Sequence, residues 1–391
     1  MGEAVRTGGL TDAALDDYAI ARELGGAVAA RADYGWQLEA EPPFVLFAYP
    51  PPDALLHAAL AALGGVAGPL LFMAALAAAG WAGARSVLTL LGAEELPLRW
   101  LGVLLGVLAC RAFVQSDLHL LNSNVLAVGL ALAAWRFLDP ASRRPLGPAC
   151  GGLLLAASLA VKPWAVGLPL VLVALRRWRE LGWTLSGLGL AFVVVPALML
   201  GPGDAAKLLA SWIDVLRQAA SVAAIDRIAV DNVSLAAALD ALGVARGRVA
   251  AIVGSAQVLW LGALAALVAS ALRRPADGAP PGGRTWLLVG ATVLVAPVPL
   301  SPILQPHHLV AWAPLSIVVG LDVVDRSTAR ADRVGRIAVL AGVFTLSSYA
   351  PAGPARGFAH VIGPLLLVAA AWLRPPGSSS ALSQTGPLPL E

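Results

Sequence analysis

The sequence predicts an all-α polytopic membrane protein, a transmembrane helix bundle with outward-facing loops that carry short helices. Three observations predict it. Of 391 residues, 58% are hydrophobic and 13% charged, whereas soluble domains carry roughly a quarter charged residues. Mean hydropathy is +0.77. Apolar stretches recur near the ~17–25 residues that cross a bilayer as a helix, and the short alternating segments of a membrane β-barrel are absent.

The apolar stretches fall at 66–83, 100–114, 124–138, 148–162, 164–175, 183–200, 249–272, 286–300, 308–324, 337–350 and 358–373. The pair flanking Lys162-Pro163 is short. Proline removes a backbone donor and breaks the helix there, near the membrane surface. Lys and Arg set the orientation. Taking alternate loops from the end of the first stretch, Arg85 and Arg99, Arg136, Arg143 and Arg144, Arg176, Arg177 and Arg179, and their successors make sixteen of the 27 basic residues. Those short loops are expected to be cytoplasmic. The other set is longer and acidic: 1–65, 115–123, 201–248, 301–307 and 351–357, with Asp53, Asp117, Asp204 and Asp214 among its carboxylates. The expected organisation is therefore an extracytoplasmic first loop with short helices (1–65), a transmembrane bundle (66–373) including an outer loop at 201–248, and a disordered cytoplasmic tail (374–391, "RPPGSSSALSQTGPLPLE"). With the N-terminus outside and no first span in "MGEAVRTGGL", a missing upstream helix of about 20 apolar residues is expected.

Within the outer loop, "AAKLLASWIDVLRQAA" repeats Leu208, Trp212 and Leu216 every four residues. It reads as an amphipathic helix lying on the outer leaflet. A second short helix, "SLAAALDALG", is expected to stop at Gly243. Trp81, Trp100, Trp135, Trp178, Trp183 and Trp286 stand near span ends, where interfacial tryptophans anchor helices. Cys110 and Cys150 are too few and too far apart for a disulfide framework or a zinc site. The formal charge of +3 is sorted by loop and not gathered on one face, so nucleic acid is not an expected partner.

Ionisable and amide groups at membrane depth are functional candidates, because burying them is costly. Lys162, in "SLAVKPWAVG", either snorkels to the interface or meets an anion such as a lipid phosphate. His307 and His308 open an apolar run in "SPILQPHHLVAW", where imidazole can donate to a phosphate or an acceptor hydroxyl. Asn122 and Asn124, in "LNSNVLAVG", and Asn232, in "VDNVSL", are helix caps or ligands. In "TDAALDDYAIARELGGAVAARADYG", helical spacing puts Asp17 on the face of Ile20, Ala21, Leu24 and Val28. Asp16 and Asp12 turn to a more polar face with Glu23. A carboxylate on the inward face is the better general-base candidate.

In order, these elements resemble glycosyltransferase family 87, membrane mannosyltransferases of the GT-C class that use a polyprenyl-phosphate sugar donor. The aromatic-Tyr-Pro-Pro stretch before a short helix is similar to "PPFVLFAYPPPDALLHAALAAL", with Tyr49, Pro50 and Pro51. A Gly-Gln-x-Asn motif is matched by "LNSN", which keeps Asn124 without the glycine or glutamine. Lys162 stands for the family's lysine, with the proline moved to 163. Ser211-Trp212, Asn232-Val233-Ser234 and Ser301-Pro302 with His307-His308 resemble later motifs. The family's aspartate precedes a tyrosine by four residues. Ala14 holds that place here, leaving Asp17, Asp16 and Asp12, in that order, as candidates for the base.

The resemblance, which runs from about residue 12 to about 325, implies a GT-C-like bundle. It implies transfer of a sugar, expected to be mannose, from a polyprenyl-phosphate donor to a lipid or glycan acceptor hydroxyl, with inversion and with membrane lipids as surroundings. Substrate contacts would fall to Lys162, His307, His308, Asn122, Asn124, Asn232, Tyr49 and Trp212. A single donor phosphate does not by its charge require a metal, and no cofactor is expected. The expected location is the bacterial plasma membrane, multi-pass, with the site extracytoplasmic. The alternative is a polytopic transporter or flippase, which would scatter polar residues near mid-membrane.

Overall fold

The computed structural model describes residues 50–63, 67–92, 97–119, 122–142, 145–219, 234–273, 280–297, 306–325, 328–348 and 354–373. Every regular element among them is helical. In chain order they are α1 (Pro51–Ala62), α2 (Ala67–Leu90), α3 (Pro97–Ala109), α4 (Arg111–His119), α5 (Asn124–Phe137), α6 (Gly147–Val161), α7 (Gly167–Ala174), α8 (Trp178–Gly189), α9 (Val195–Leu200), α10 (Pro202–Ala219), α11 (Leu235–Ala241), α12 (Arg246–Leu272), α13 (Gly283–Val295), α14 (Ala313–Val324), α15 (Arg330–Ser348) and α16 (Pro354–Trp372). Short 3₁₀ turns at Pro163–Val166 and Pro306–Trp312 lead into α7 and α14, and a π turn at Leu190–Val194, just before Pro196, joins α8 to α9.

Ala67–Leu90, Trp178–Leu200 and Arg246–Leu272 are long and apolar enough to cross a membrane. The protein is a membrane protein of the all-α polytopic class. The shorter apolar helices form its interior. The 14 residues of α5 span about 21 Å at 1.5 Å per residue, and most of them are buried.

Two crossings are close because one helix offers glycine. On α3, a Cβ at Gly102 would lie 2.8 Å from Leu321 Cα, and one at Gly106 would lie 2.7 Å from the Ser316 carbonyl carbon on α14. On α5, a Cβ at Gly129 would run into the Ala79 backbone of α2. Small residues admit such backbone approaches, which drive helix association where lipid supplies no hydrophobic force. Ser158 Oγ, donating to Ala127 O at 2.7 Å, ties α6 to α5.

The structure corrects two expectations. Trp135 and Trp286 are not interfacial anchors. They are fully buried, stacked at 4.0 Å between centroids, and each indole N–H donates to the other's backbone carbonyl (2.6 and 2.9 Å). Position near a span end places a residue along the membrane normal and leaves its inward or outward direction to packing. The amphipathic helix forms as α10, but protein takes up part of its apolar stripe, with Ile213 left exposed. Ala205, Leu208, Trp212 and Val215 are buried, and α10 packs on α9, the π turn and α1. The second short helix also forms. Ser234 Oγ accepts from the Ala237 N–H at 3.1 Å, and Gly243 follows with φ of +75°.

Charged groups gather at the two ends of the bundle. One end, where α5 and α14 finish, carries arginine-rich pairs. Arg284 meets both oxygens of Asp322 at 2.8 Å, Arg336 lies 2.8 Å from Asp322, and Arg177 lies 2.7 Å from Glu180 while donating to Leu138 O. The opposite end, where α5 and α14 begin and α6 finishes, carries the candidate site.

Candidate functional site

Three local rules build the site. The first concerns Lys162. Proline disfavours helical geometry in the residue before it, and Lys162 is accordingly extended, at φ −150° and ψ 135°, closing α6. The chain then re-enters through the turn Pro163–Val166. This break leaves the lysine 5% exposed at the top of a helix pair. The snorkelling alternative is thereby overturned, because the side chain stays inside. Its Nζ lies 5.1 Å from the Trp164 ring centroid, within cation–π range. Trp164 in turn meets the His308 ring edge-on at 5.5 Å. The carboxylates whose charges act on Lys162 are Asp117 and Asp53.

The second rule is capping. The first amides of a helix lack intrahelical acceptors. On α5 the cap comes from neither asparagine, contrary to one sequence reading. Asp117 of α4 supplies it. Its Oδ2 accepts from the Val125 N–H at 2.8 Å, its Oδ1 accepts from Asn124 Nδ2, and its backbone carbonyl accepts from the Asn122 N–H at 2.8 Å. A negative group suits the helix N-terminus. Burial pushes the Asp117 carboxyl above the ordinary carboxylate range, while the Val125 amide, Lys162 and Asn124 pull it back. Both oxygens accept hydrogen bonds from the start of α5, so Asp117 organises this end of the bundle.

The third is helical spacing. Proline suits the first turn of a helix, and α1 opens on Pro51-Pro52 with the Asp53 N–H bonded to Pro50 O at 2.9 Å. Asp53 and His57, four apart, share one face, with Nε2 3.5 Å from Oδ2. Both are buried, and His57 packs against Phe72 of α2 at 5.3 Å.

Of the residues singled out in the sequence, the fold brings together Lys162, Asn122, Asn124 and His308. Trp212 is buried against Phe192, 5.7 Å away, on the helix that packs beside α1. For His307 only the backbone, in the Pro306–Trp312 turn, is described. Asp12, Asp16, Asp17, Tyr49 and Asn232 lie outside the described residues. Sequence reasoning missed Asp53, His57, Asp117 and Trp164 as site members. The i, i+4 spacing of Asp53 and His57 was a readable signal. Asp117 gave none beyond its outer loop, since its partners come from another helix.

Chemically, the cluster sets a buried lysine against an aromatic face and within reach of the charge of two carboxylates, with an imidazole against the same aromatic ring. Such a group can hold an anion while charge develops on it. A profile of glycosyltransferase family 87 matches residues 47–297, which covers α1, α4, Lys162 and the π turn. No curated protein and no solved structure matches the chain.

Proposed function

We propose, from the premise that this chain belongs to glycosyltransferase family 87 and is a membrane glycosyltransferase, that it transfers mannose from a polyprenyl-phosphate donor to a lipid or glycan hydroxyl outside the cytoplasm. The observation that carries this reading is the buried Lys162 at the break between α6 and α7. It is a cation secluded at the end of a membrane bundle, where a lipid-borne phosphate arrives with its tail in the bilayer. The arginine sorting among loops supports the assignment of this end to the outer face of the membrane, proposed here to be the bacterial plasma membrane.

In the proposed reaction the acceptor oxygen bonds to the anomeric carbon as the bond from that carbon to the phosphate oxygen breaks. Polyprenyl phosphate leaves with the bonding pair, and the acceptor's proton passes to a carboxylate. In-line displacement inverts the anomeric centre. Lys162 stabilises the growing phosphate charge, with His308 beside it across Trp164. The base falls to Asp17, Asp16 or Asp12, on the resemblance stated above. Asn122 and Asn124, held by Asp117, His307, Asn232, Tyr49 and Trp212 complete the proposed substrate contacts. A transporter is disfavoured, because the site's polar groups gather at one end of the bundle and not at mid-membrane.

The test uses purified protein, labelled polyprenyl-phosphate mannose and a mixture of lipid acceptors. Lys162→Ala should lower kcat by about 10²–10³-fold, and one of Asp17→Asn, Asp16→Asn and Asp12→Asn should lower it further. Failure of the wild-type protein to consume the donor, or full activity in all four variants, overturns the proposal.

A further inference from the structure

Asp53 differs from the other carboxylate of the site in one respect. Asp117 accepts hydrogen bonds at both oxygens. Asp53 is 1% exposed, yet neither of its oxygens receives a hydrogen bond from the described residues. His57 Nε2 stands 3.5 Å from Oδ2 without hydrogen-bond geometry, and Lys162 acts on it only through charge. Two more polar atoms at the turn into α5 are in the same condition: Asn122 Oδ1 and Ser123 Oγ are buried without a partner. That turn adjoins α1, since Leu56 and Val125 pack on the same apolar group, Leu60, Phe72 and Leu76.

Buried polar groups in folded proteins are hydrogen-bonded in about nine cases of ten. A buried carboxylate lacking donors therefore implies that donors come from a bound molecule. The chemistry narrows that molecule. The partnerless atoms of Asp53 and Asn122 are acceptors. A donor phosphodiester offers acceptors only, and its charge would be repelled by Asp53. Sugar hydroxyls donate, and a carboxylate can take two neighbouring hydroxyls at once.

We infer that Asp53 is the sugar-recognition residue. Its carboxylate accepts hydrogen bonds from two hydroxyls of the transferred hexose, with His57 orienting it, while Lys162 takes the phosphate. The division is by charge: the carboxylate reads the sugar and the cation reads the leaving group. This assignment rests on the polyprenyl-phosphate-sugar reading of the donor.

The experiment compares wild-type protein with Asp53→Asn on polyprenyl-phosphate mannose and on its 2-, 3-, 4- and 6-deoxy analogues. Binding of sugar-free polyprenyl phosphate is measured alongside, as a check on folding and on the phosphate subsite. In the wild type, removing a hydroxyl that Asp53 contacts should lower kcat/KM by about 10- to 100-fold, the value of a hydrogen bond to a charged group. In Asp53→Asn the same deletion should cost less than about threefold, with binding of sugar-free polyprenyl phosphate retained or strengthened, since a repelling charge is gone. Equal deoxy penalties in both proteins overturn the assignment, as does equal weakening of sugar-bearing and sugar-free lipid. Loss of kcat for every donor with deoxy penalties unaltered would make Asp53 a base instead, and also overturns it. Should the wild type consume no polyprenyl-phosphate sugar at all, the donor reading itself falls and takes this assignment with it.

Discussion

The coupling between Asp117 and Lys162 can be tested without any substrate. Asp117→Ala removes the acceptor of the Val125 N–H and one of the two carboxylates acting on Lys162. The lost helix cap should cost about 1 kcal/mol. Opposite unit charges attract by about 4 kcal/mol at about 4 Å for an effective dielectric near 20 and by less as they separate, so about 2–3 kcal/mol is expected of this pair. Asp117→Ala should therefore destabilise the protein by about 3–4 kcal/mol. Lys162→Met should cost about 2–3 kcal/mol through the same attraction, since it leaves the carboxylates without their cation. The double variant has no such attraction left to lose, so its cost should fall short of the sum of the singles by about 2–3 kcal/mol. The assay is denaturant unfolding in mixed micelles, followed by tryptophan fluorescence, for which the buried Trp135–Trp286 stack is a built-in probe. Additivity within about 0.5 kcal/mol would refute the argument, because it would mean that the two charges do not sense each other.

Three further outcomes are stability changes as well. Gly106→Ala should destabilise by about 1–3 kcal/mol, because the new methyl meets the backbone of α14. Gly254→Ala, on α12 with nothing within 4 Å, should be neutral or stabilising by up to about 1 kcal/mol. Asp322→Ala should cost about 3–5 kcal/mol, since it strands Arg336, 5% exposed, together with the partly buried Arg284. Thermal midpoints in detergent would check all three, and a tolerated Asp322→Ala would show that the arginine-rich end is not held by this carboxylate.

Much of the fold was legible one segment at a time. The spans at 124–138, 148–162 and 308–324 lie within a few residues of α5, α6 and the turn leading through α14. Others drifted at their ends. The stretch read as 183–200 begins at Trp178, and 286–300 gives a helix that finishes at Val295, because boundaries depend on caps and neighbours that periodicity does not encode. The site was half legible. Lys162, Asn122, Asn124 and His308 were visible as polar groups in apolar company, whereas Asp117 looked like one more outer-loop acid.

Hydropathy by itself settled that the chain is a bundle of membrane helices, and Pro163 settled that the backbone breaks at Lys162. Both follow from rules that act on a residue and its immediate neighbours: apolar length against bilayer thickness, and a ring that clashes with the residue before it. Tertiary structure decided which way the side chains face. It turned Trp135 and Trp286 onto each other, folded part of the apolar stripe of α10 against protein, and delivered Asp117 and Asp53 from separate helices to the charge at Lys162. Those outcomes depend on how helices cross, and crossings are set by pairs of surfaces far apart in the chain, such as Gly106 against α14, which no window of sequence contains.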